Sequence, residues 1–93
     1  MSDDRPPATA LVFSRGAERV LRKLKRRDPA RFEQVSRKIK DVRERPEMGS
    51  PKRYRLAGYR GVHVGSMVIL YRWDAQANEV HILKISHHDH AYG

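Results

Sequence analysis

The feature that most constrains the fold is a pair of apolar runs joined by a turn that contains glycine. The runs, about Tyr59–Val64 and Met67–Trp73, flank Gly65-Ser66. Glycine accepts the positive φ that tight hairpin turns require. The second run is apolar without alternation, as is typical of a central strand covered on both faces. A third run, about Val80–Ser86, follows after a polar turn, so the sequence predicts three consecutive antiparallel strands.

Upstream of this hairpin, the sequence predicts one short strand and two helices. Thr9–Phe13 is apolar and β-branched, and its shortness favours an edge strand. Ser14 is a typical N-cap for a first helix, whereas Asp28-Pro29 is typical of the start of a second helix, which Pro46 ends. Apolar residues at helical spacing give each helix one stripe, which we interpret as core. The stripes consist of Ala17, Val20, Leu21 and Leu24, then Phe32, Val35, Ile39 and Val42.

The 93 residues are enough for one domain, which we place at residues 9–93 after a disordered lead at residues 1–8. The order β-α-α-β-β-β predicts an α+β fold, with an N-terminal short strand and an αα-hairpin packed on one face of a small, mainly antiparallel sheet. The absence of cysteine excludes disulfides and thiolate metal sites. No apolar run approaches the ~18 residues of a membrane span, and no signal peptide pattern is present, so we expect a cytoplasmic protein without a membrane partner.

Positive charge is concentrated in one part of the chain. The net charge is +9, but residues 15–60 hold 17 basic and six acidic residues, a surplus of +11. Arginine outnumbers lysine 14 to 6, which suits bidentate phosphate contacts. A basic solvated helix surface is one interpretation; a surface for nucleic acid or for an acidic protein is the interpretation we favour. The candidate RNA-binding residues are Lys52, Arg53, Arg55 and Arg60.

Histidines are found in the first hairpin strand and at the C-terminus. The candidates for catalysis are His63, His87, His88, His90 and Tyr92. RNA cleavage needs no metal if one group takes the 2′-OH proton, another protonates the leaving 5′ oxygen, and a cation neutralises the phosphoryl charge. Histidine can fill either proton role near neutral pH, and a tyrosine can stack on a base or hold the phosphate.

Each of these features also has a structural interpretation. His63 could be an ordinary sheet histidine, and the terminal histidine run could be a solvated tail or a fortuitous metal site. His81 lies in the middle of a strand, and we interpret it as structural. No ligands at the spacing of a metal site occur elsewhere in the chain, so we expect neither a metal nor another cofactor.

Several short motifs occur together in this chain. They are the β-α-α-β-β-β order, Leu56-x-Gly58, Tyr59-Arg-x-x-His63-Val, Val68-Ile-Leu-Tyr71 and His88-x-x-x-Tyr92. Together they resemble the RelE/ParE superfamily of toxin–antitoxin toxins. The resemblance covers nearly the whole chain after the lead, and within the superfamily the chain is most similar to the YafQ-like branch.

The resemblance implies a type II toxin that acts as a ribosome-dependent mRNA endoribonuclease and inhibits translation. Its partners would be the ribosome, mRNA and a cognate antitoxin, which we expect to be acidic and partly disordered. By position, the resemblance implicates His63, His88 and Tyr92 in catalysis, with His87 and His90 as alternatives for proton transfer.

Two positions depart from the YafQ-like pattern. Met67 stands where that branch has an acidic residue, and Ser50 lies near the position of a histidine. Two alternatives therefore stay open: a ParE-like inhibitor of DNA gyrase, which needs no histidine cluster, and a non-catalytic homologue that only binds an antitoxin.

Overall fold

The computed structural model describes residues 9–87, which form two helices and five strands. The helices are α1 and α2, and the strands are numbered β1 to β5 along the chain. Two short 3-10 turns, Pro46–Met48 and Tyr54–Leu56, flank β2. The bounds are β1 Ala10–Phe13, α1 Arg15–Arg27, α2 Pro29–Glu44, β2 Ser50–Pro51, β3 Arg60–Val64, β4 Met67–Asp74 and β5 Glu79–His87.

The five strands form one mixed sheet in the order β1-β5-β4-β3-β2. The first strand pairs with β5 in parallel, whereas β2/β3, β3/β4 and β4/β5 are antiparallel. A register shift interrupts the β4/β5 ladder, because Leu70 pairs with Lys84 but the next residue, Tyr71, pairs with Ile82. Leu83 is therefore an extra residue in β5, as in a β-bulge, and it reverses the alternation of the strand.

The helices begin where the sequence predicts. The Ser14 hydroxyl accepts a hydrogen bond from the Ala17 N–H at 3.0 Å, and the Asp28 carboxylate accepts one from the Arg31 N–H at 3.2 Å. Each bond satisfies one of the N–H groups that the first helical turn leaves without an intrahelical partner. Ser14 Oγ also donates to the Leu83 carbonyl at 2.7 Å, which links the start of α1 to β5.

The hydrophobic core lies between the helix pair and one face of the sheet. The helices contribute their apolar stripes, and the sheet contributes alternate residues of its three long strands. The buried residues of this core are Ala17, Val35, Ile39, Val42, Val62, Met67, Ile69, Tyr71, Val80, Ile82 and Ile85. The α+β prediction, with both helices on one face of the sheet, is confirmed.

One strand differs from the sequence prediction. The two-residue strand β2 (Ser50–Pro51) was missed because so short a segment has no periodicity to detect.

The three long strands begin and end within about one residue of the predicted bounds, and Gly65 has the positive φ expected of the hairpin turn, at 58°. The predicted lead at residues 1–8 lies outside the described residues. Within residues 9–87, no helix is long and apolar enough to cross a membrane.

Candidate functional site

The sheet face opposite the helices carries the first of the candidate catalytic residues. His63 pairs with Val68 on β4, which in turn pairs with Ser86 on β5. Residues directly opposite one another in a ladder point to the same face, so these three side chains form a row across the sheet. Val68 is only 5% exposed, yet it is not part of the helix-side core. We call this side of the sheet the open face.

A second row on the open face brings lysines close to His63. Gly61 pairs with Leu70, which pairs with Lys84. A Cβ on Gly61 would lie 2.7 Å from Lys52 Cε and 3.1 Å from Lys52 Nζ, so the Lys52 side chain lies directly over this glycine. Gly61 and His63 are two residues apart on one strand, a separation of roughly 7 Å. An imidazole and two ammonium groups therefore share this part of the open face.

A shallow cleft of about 190 Å³ occupies the opposite end of the open face. Arg72 and His81 form a cross-strand pair in it, and Tyr59 and Val12 lie on either side of that pair. His81 Nε2 lies 3.1 Å from Glu79 Oε1, so the carboxylate holds the imidazole in place. This contact agrees with a structural interpretation of His81 rather than with proton transfer.

The loop that carries Lys52 is held in place by Tyr71 and Arg60. The buried Tyr71 hydroxyl donates to the Pro46 carbonyl at 2.7 Å and accepts from the Gly49 N–H at 2.8 Å. Burial of this phenol raises its pKa above the ordinary value of 10.0. A side chain at Gly49 is excluded, because its Cβ would lie 2.6 Å from the Tyr71 oxygen. Arg60 Nη1 donates to the carbonyls of Glu47 and Gly49, at 3.1 and 2.8 Å.

The four predicted RNA-binding residues thus occupy different environments. Lys52 reaches over the open face, whereas Arg53 and Arg55 are exposed on the loop that follows. Arg60 pairs with Tyr71 and is engaged by the loop carbonyls, so its evident role in the structure is to anchor that loop. Its contribution to RNA binding stays a prediction, as do those of the other three.

The structure describes only part of the predicted histidine cluster. His87 is exposed at the end of β5 and pairs with Met67, a core residue, so it points to the helix side rather than to the open face. His88, His90 and Tyr92 lie outside the described residues. Between Thr9 and His87, no group of three or more His, Asp or Glu residues is arranged to hold a metal ion.

Sequence reasoning did not identify Lys84 or the contact between Lys52 and Gly61. The alternation of β5 fails at Leu83, so the face of Lys84 could not be assigned from the pattern. The Lys52 contact joins a loop to a strand, and the one available signal was the glycine itself, which often marks close approach within a strand.

Comparison with known proteins identifies the family. Residues 11–92 match the model of the ParE toxin of the type II toxin–antitoxin system parDE. The RelBE2 toxin–antitoxin complex from Mycobacterium tuberculosis contains a similar chain, 30% identical, with a TM-score of 0.74; the match covers 86% of this chain and 98% of that one. Among curated proteins, none matches the sequence.

Two more distant structures share the fold. A YoeB/ParE toxin from Agrobacterium tumefaciens is 18% identical with a TM-score of 0.78, covering 85% of this chain and 98% of that one. The RelBE toxin–antitoxin complex of Escherichia coli gives 21% identity and a TM-score of 0.73, covering 86% and 96%. The resemblance of the sequence to the RelE/ParE superfamily is thus confirmed. The chain belongs to the ParE toxin family of type II toxin–antitoxin systems.

Proposed function

We propose that this toxin is a metal-independent mRNA endoribonuclease that acts on ribosomes in the cytoplasm. The observation that carries the proposal is the open face, where His63 lies in one row and Lys52 and Lys84 lie in the next. A histidine beside two cations supplies one of the two proton-transfer groups and the charge stabilisation that phosphodiester cleavage by the adjacent 2′-OH requires. The YafQ-like assignment is part of this proposal and is supported by the position of His63 in β3.

In the proposed reaction, the 2′ oxygen forms a bond to phosphorus while the bond from phosphorus to the 5′ oxygen breaks. One histidine accepts the 2′-OH proton, and another gives a proton to the leaving 5′ oxygen, so the products are a 2′,3′-cyclic phosphate and a 5′-OH. We assign one of these roles to His63 and the other to His88, with His87 and His90 as alternatives. Lys52 and Lys84 would stabilise the negative charge that grows on the phosphoryl oxygens.

His88 is preferred because the family resemblance implicates it, together with His63, in the ribonuclease site. Tyr92 would then hold the phosphate or stack on a base, as the family resemblance implies.

The cognate antitoxin is the proposed protein partner. RelE and YoeB structures include complexes with antitoxins, the Escherichia coli RelBE pair and the Staphylococcus aureus YoeB–YefM pair. In this chain, a groove of about 320 Å³ has an apolar floor that includes Phe13, Leu21 and Phe32. Arg22 and Lys25 also line the groove, together with one acidic residue, Glu18, so its cations outnumber its anions by two to one. An acidic segment with apolar side chains, disordered until it binds, would complement this groove in both charge and polarity.

A ParE-like gyrase inhibitor is the second candidate, and the family match favours it. Ser50 and Met67 favour a loss of ribonuclease activity. The YafQ-like branch has a histidine near the position of Ser50 and an acidic residue at the position of Met67. Ser50 is exposed in β2, and Met67 is 2% exposed within the core. A non-catalytic homologue remains the third candidate.

The test is single-turnover cleavage of mRNA on programmed ribosomes, with a gyrase supercoiling assay in parallel. We expect wild type to cut mRNA and to leave gyrase active. The variant His88→Ala should lose about 10²- to 10⁴-fold in rate, the usual contribution of a positioned acid or base. If His87→Ala or His90→Ala is inactive instead, the assignment of proton transfer to His88 is wrong. Intact mRNA together with inhibited gyrase would establish the second candidate.

A further inference from the structure

Tyr54 is the most exposed large apolar side chain among residues 9–87. Its side chain and backbone together are 90% exposed, whereas the other exposed large hydrophobic residues reach only 38–39%. Burial of an aromatic ring is normally one of the largest favourable contributions to folding. The fold therefore gains almost nothing from having tyrosine at this position.

The turn that carries Tyr54 is ordered by backbone hydrogen bonds. The Leu56 N–H donates to the Arg53 carbonyl at 3.1 Å, and the Ala57 N–H donates to the Tyr54 carbonyl at 3.0 Å. The base of the loop is closed by the Lys52 N–H, which donates to the Tyr59 carbonyl at 2.9 Å. The ring is thus presented on a fixed turn.

The backbone at Tyr54 is strained. Its φ is +58°, in the left-handed region, where a bulky side chain is unfavourable and glycine is preferred. No hydrogen bond or ion pair of the Tyr54, Arg53 or Arg55 side chains occurs within the described part of the chain. The backbone hydrogen bonds of the turn therefore hold the strained conformation without help from these side chains. A residue with a strained backbone and no stabilising side-chain contact is often part of a functional site. This suggests that the Tyr54 ring binds a ligand.

The neighbours of Tyr54 indicate which ligand chemistry suits it. Arg53 and Arg55 flank the ring in sequence and are both exposed. An aromatic anchor of a protein interface usually lies at the centre of a well-packed patch, whereas Tyr54 has only Leu56 as an apolar neighbour in its turn. An isolated ring among cations is typical of surfaces that bind single-stranded nucleic acid, where bases stack on the ring and phosphates contact the cations.

We propose that Tyr54 is a stacking platform for an unpaired RNA base, with Arg53 and Arg55 holding the adjacent phosphates. The inference rests on the proposed function, in which RNA is the substrate. Lys52 links the Tyr54 platform to the candidate site on the open face. It precedes the turn that carries Tyr54, and its side chain lies on the open face over Gly61. The platform would therefore bind a nucleotide next to the cleaved linkage and contribute to affinity rather than to the chemical step.

Fluorescence anisotropy with a labelled single-stranded RNA of about ten nucleotides tests the proposal. We expect Tyr54→Ala to weaken binding by about 5- to 150-fold, the usual contribution of one stacked base, and Tyr54→Phe to bind like wild type. Tyr54→Gly should bind as weakly as Tyr54→Ala but melt at a higher temperature than it, because glycine relieves the strain. The matched control is Leu56→Ala, in the same turn, which should bind like wild type.

The salt dependence separates stacking from charge. The slope of log affinity against log salt should be unchanged in Tyr54→Ala, whereas Arg53→Ala should reduce it by about 0.7, the contribution of one phosphate contact to a single strand. If Tyr54→Ala binds RNA like wild type, the inference is wrong. It is also wrong if the substitution weakens only antitoxin binding, since the ring would then serve a protein interface.

The two proposals can fail separately. A protein that needs Tyr54 to bind RNA but cuts no mRNA on ribosomes would overturn the proposed function and support the platform. Efficient cleavage, with the same KM for Tyr54→Ala as for wild type, would overturn only the platform.

Discussion

At the scale of single residues, Tyr71 connects the core to the candidate site. Its ring is fully buried between the sheet and the helices, and its hydroxyl satisfies one donor and one acceptor of the Pro46–Gly49 segment. That segment leads directly into β2 and then to Lys52. One phenol oxygen thus fixes the start of the loop that brings Lys52 over the open face.

Replacement of Tyr71 by phenylalanine should destabilise the protein by about 1–3 kcal/mol, because two buried backbone groups lose their partner while the ring is retained. Urea unfolding near neutral pH measures the effect. Tyr59→Phe is the matched control; Tyr59 is half-buried, its hydroxyl makes no hydrogen bond to another described residue, and its replacement should cost less than about 0.5 kcal/mol. Equal stability of Tyr71→Phe and wild type would show that the hydroxyl anchors nothing.

The pH dependence of the same pair gives a second check. The pKa of Tyr71 is raised on folding, so its contribution to stability is complete below the unfolded value of 10.0 and is lost as pH rises through the folded value. We therefore expect the stability difference between wild type and Tyr71→Phe to narrow above pH 10. A difference that widens there would contradict the direction of the shift.

At the scale of elements, Ser14 joins α1 to β5. Its Oγ accepts from the Ala17 N–H as an N-cap and donates to the carbonyl of Leu83, the bulged residue. This link explains how a single side chain orients the first helix on the sheet. It also places the start of α1 beside the only irregularity recorded in the β4/β5 ladder within residues 9–87.

Ser14→Ala should cost about 1–2 kcal/mol, the usual value for loss of an N-cap, with the upper end expected because a second hydrogen bond is lost. Thermal unfolding followed by circular dichroism measures this cost. Ser66→Ala, in the exposed β3–β4 turn, is the control and should leave the melting temperature unchanged. Equal melting temperatures for the two variants would show that the Ser14 hydrogen bonds do not stabilise the protein.

Elements with a strong period could be predicted from the sequence, and those defined by contacts between distant segments could not. The apolar stripes of α1 and α2 and the hairpin at Gly65 need only local physics, so they were predicted correctly. The bulge at Leu83 depends on how β5 meets β4, and the role of Arg60 depends on loop carbonyls 11 and 13 residues away. The candidate site lies where such long-range contacts dominate, and only His63 and Lys52 were identified there in advance.

At the scale of the whole molecule, positive charge lies on several surfaces, including α2, where Arg37, Lys40 and Arg43 are exposed. Two of these surfaces bear on the proposed partners. One is the outer side of α1, where Arg19, Arg22, Lys23, Lys25 and Arg26 are exposed. The other is the open face with its adjoining loop. Two basic surfaces are what a protein needs if it binds RNA on one side and an acidic antitoxin on the other.

Removal of one positive charge should weaken the binding of a different partner on each surface. Lys84→Ala should weaken RNA binding and reduce the salt slope by about 0.7, whereas Arg26→Ala should leave RNA binding unchanged and weaken the antitoxin complex. Each variant is the control for the other, since both remove one exposed cation. Anisotropy titrations with RNA and with purified antitoxin, over a range of salt concentrations, distinguish the two. The same loss of RNA affinity in both variants would show that the surfaces do not divide these roles.

The most direct test of the central claim compares two histidines of the open face. His63 lies beside the lysines, whereas His81 lies in the cleft at the other end, held by Glu79. In single-turnover cleavage of ribosome-bound mRNA, we expect His63→Ala to lose about 10²- to 10⁴-fold in rate and His81→Ala to cut within a few-fold of wild type. Cleavage by His63→Ala at the wild-type rate would contradict a catalytic site on this face.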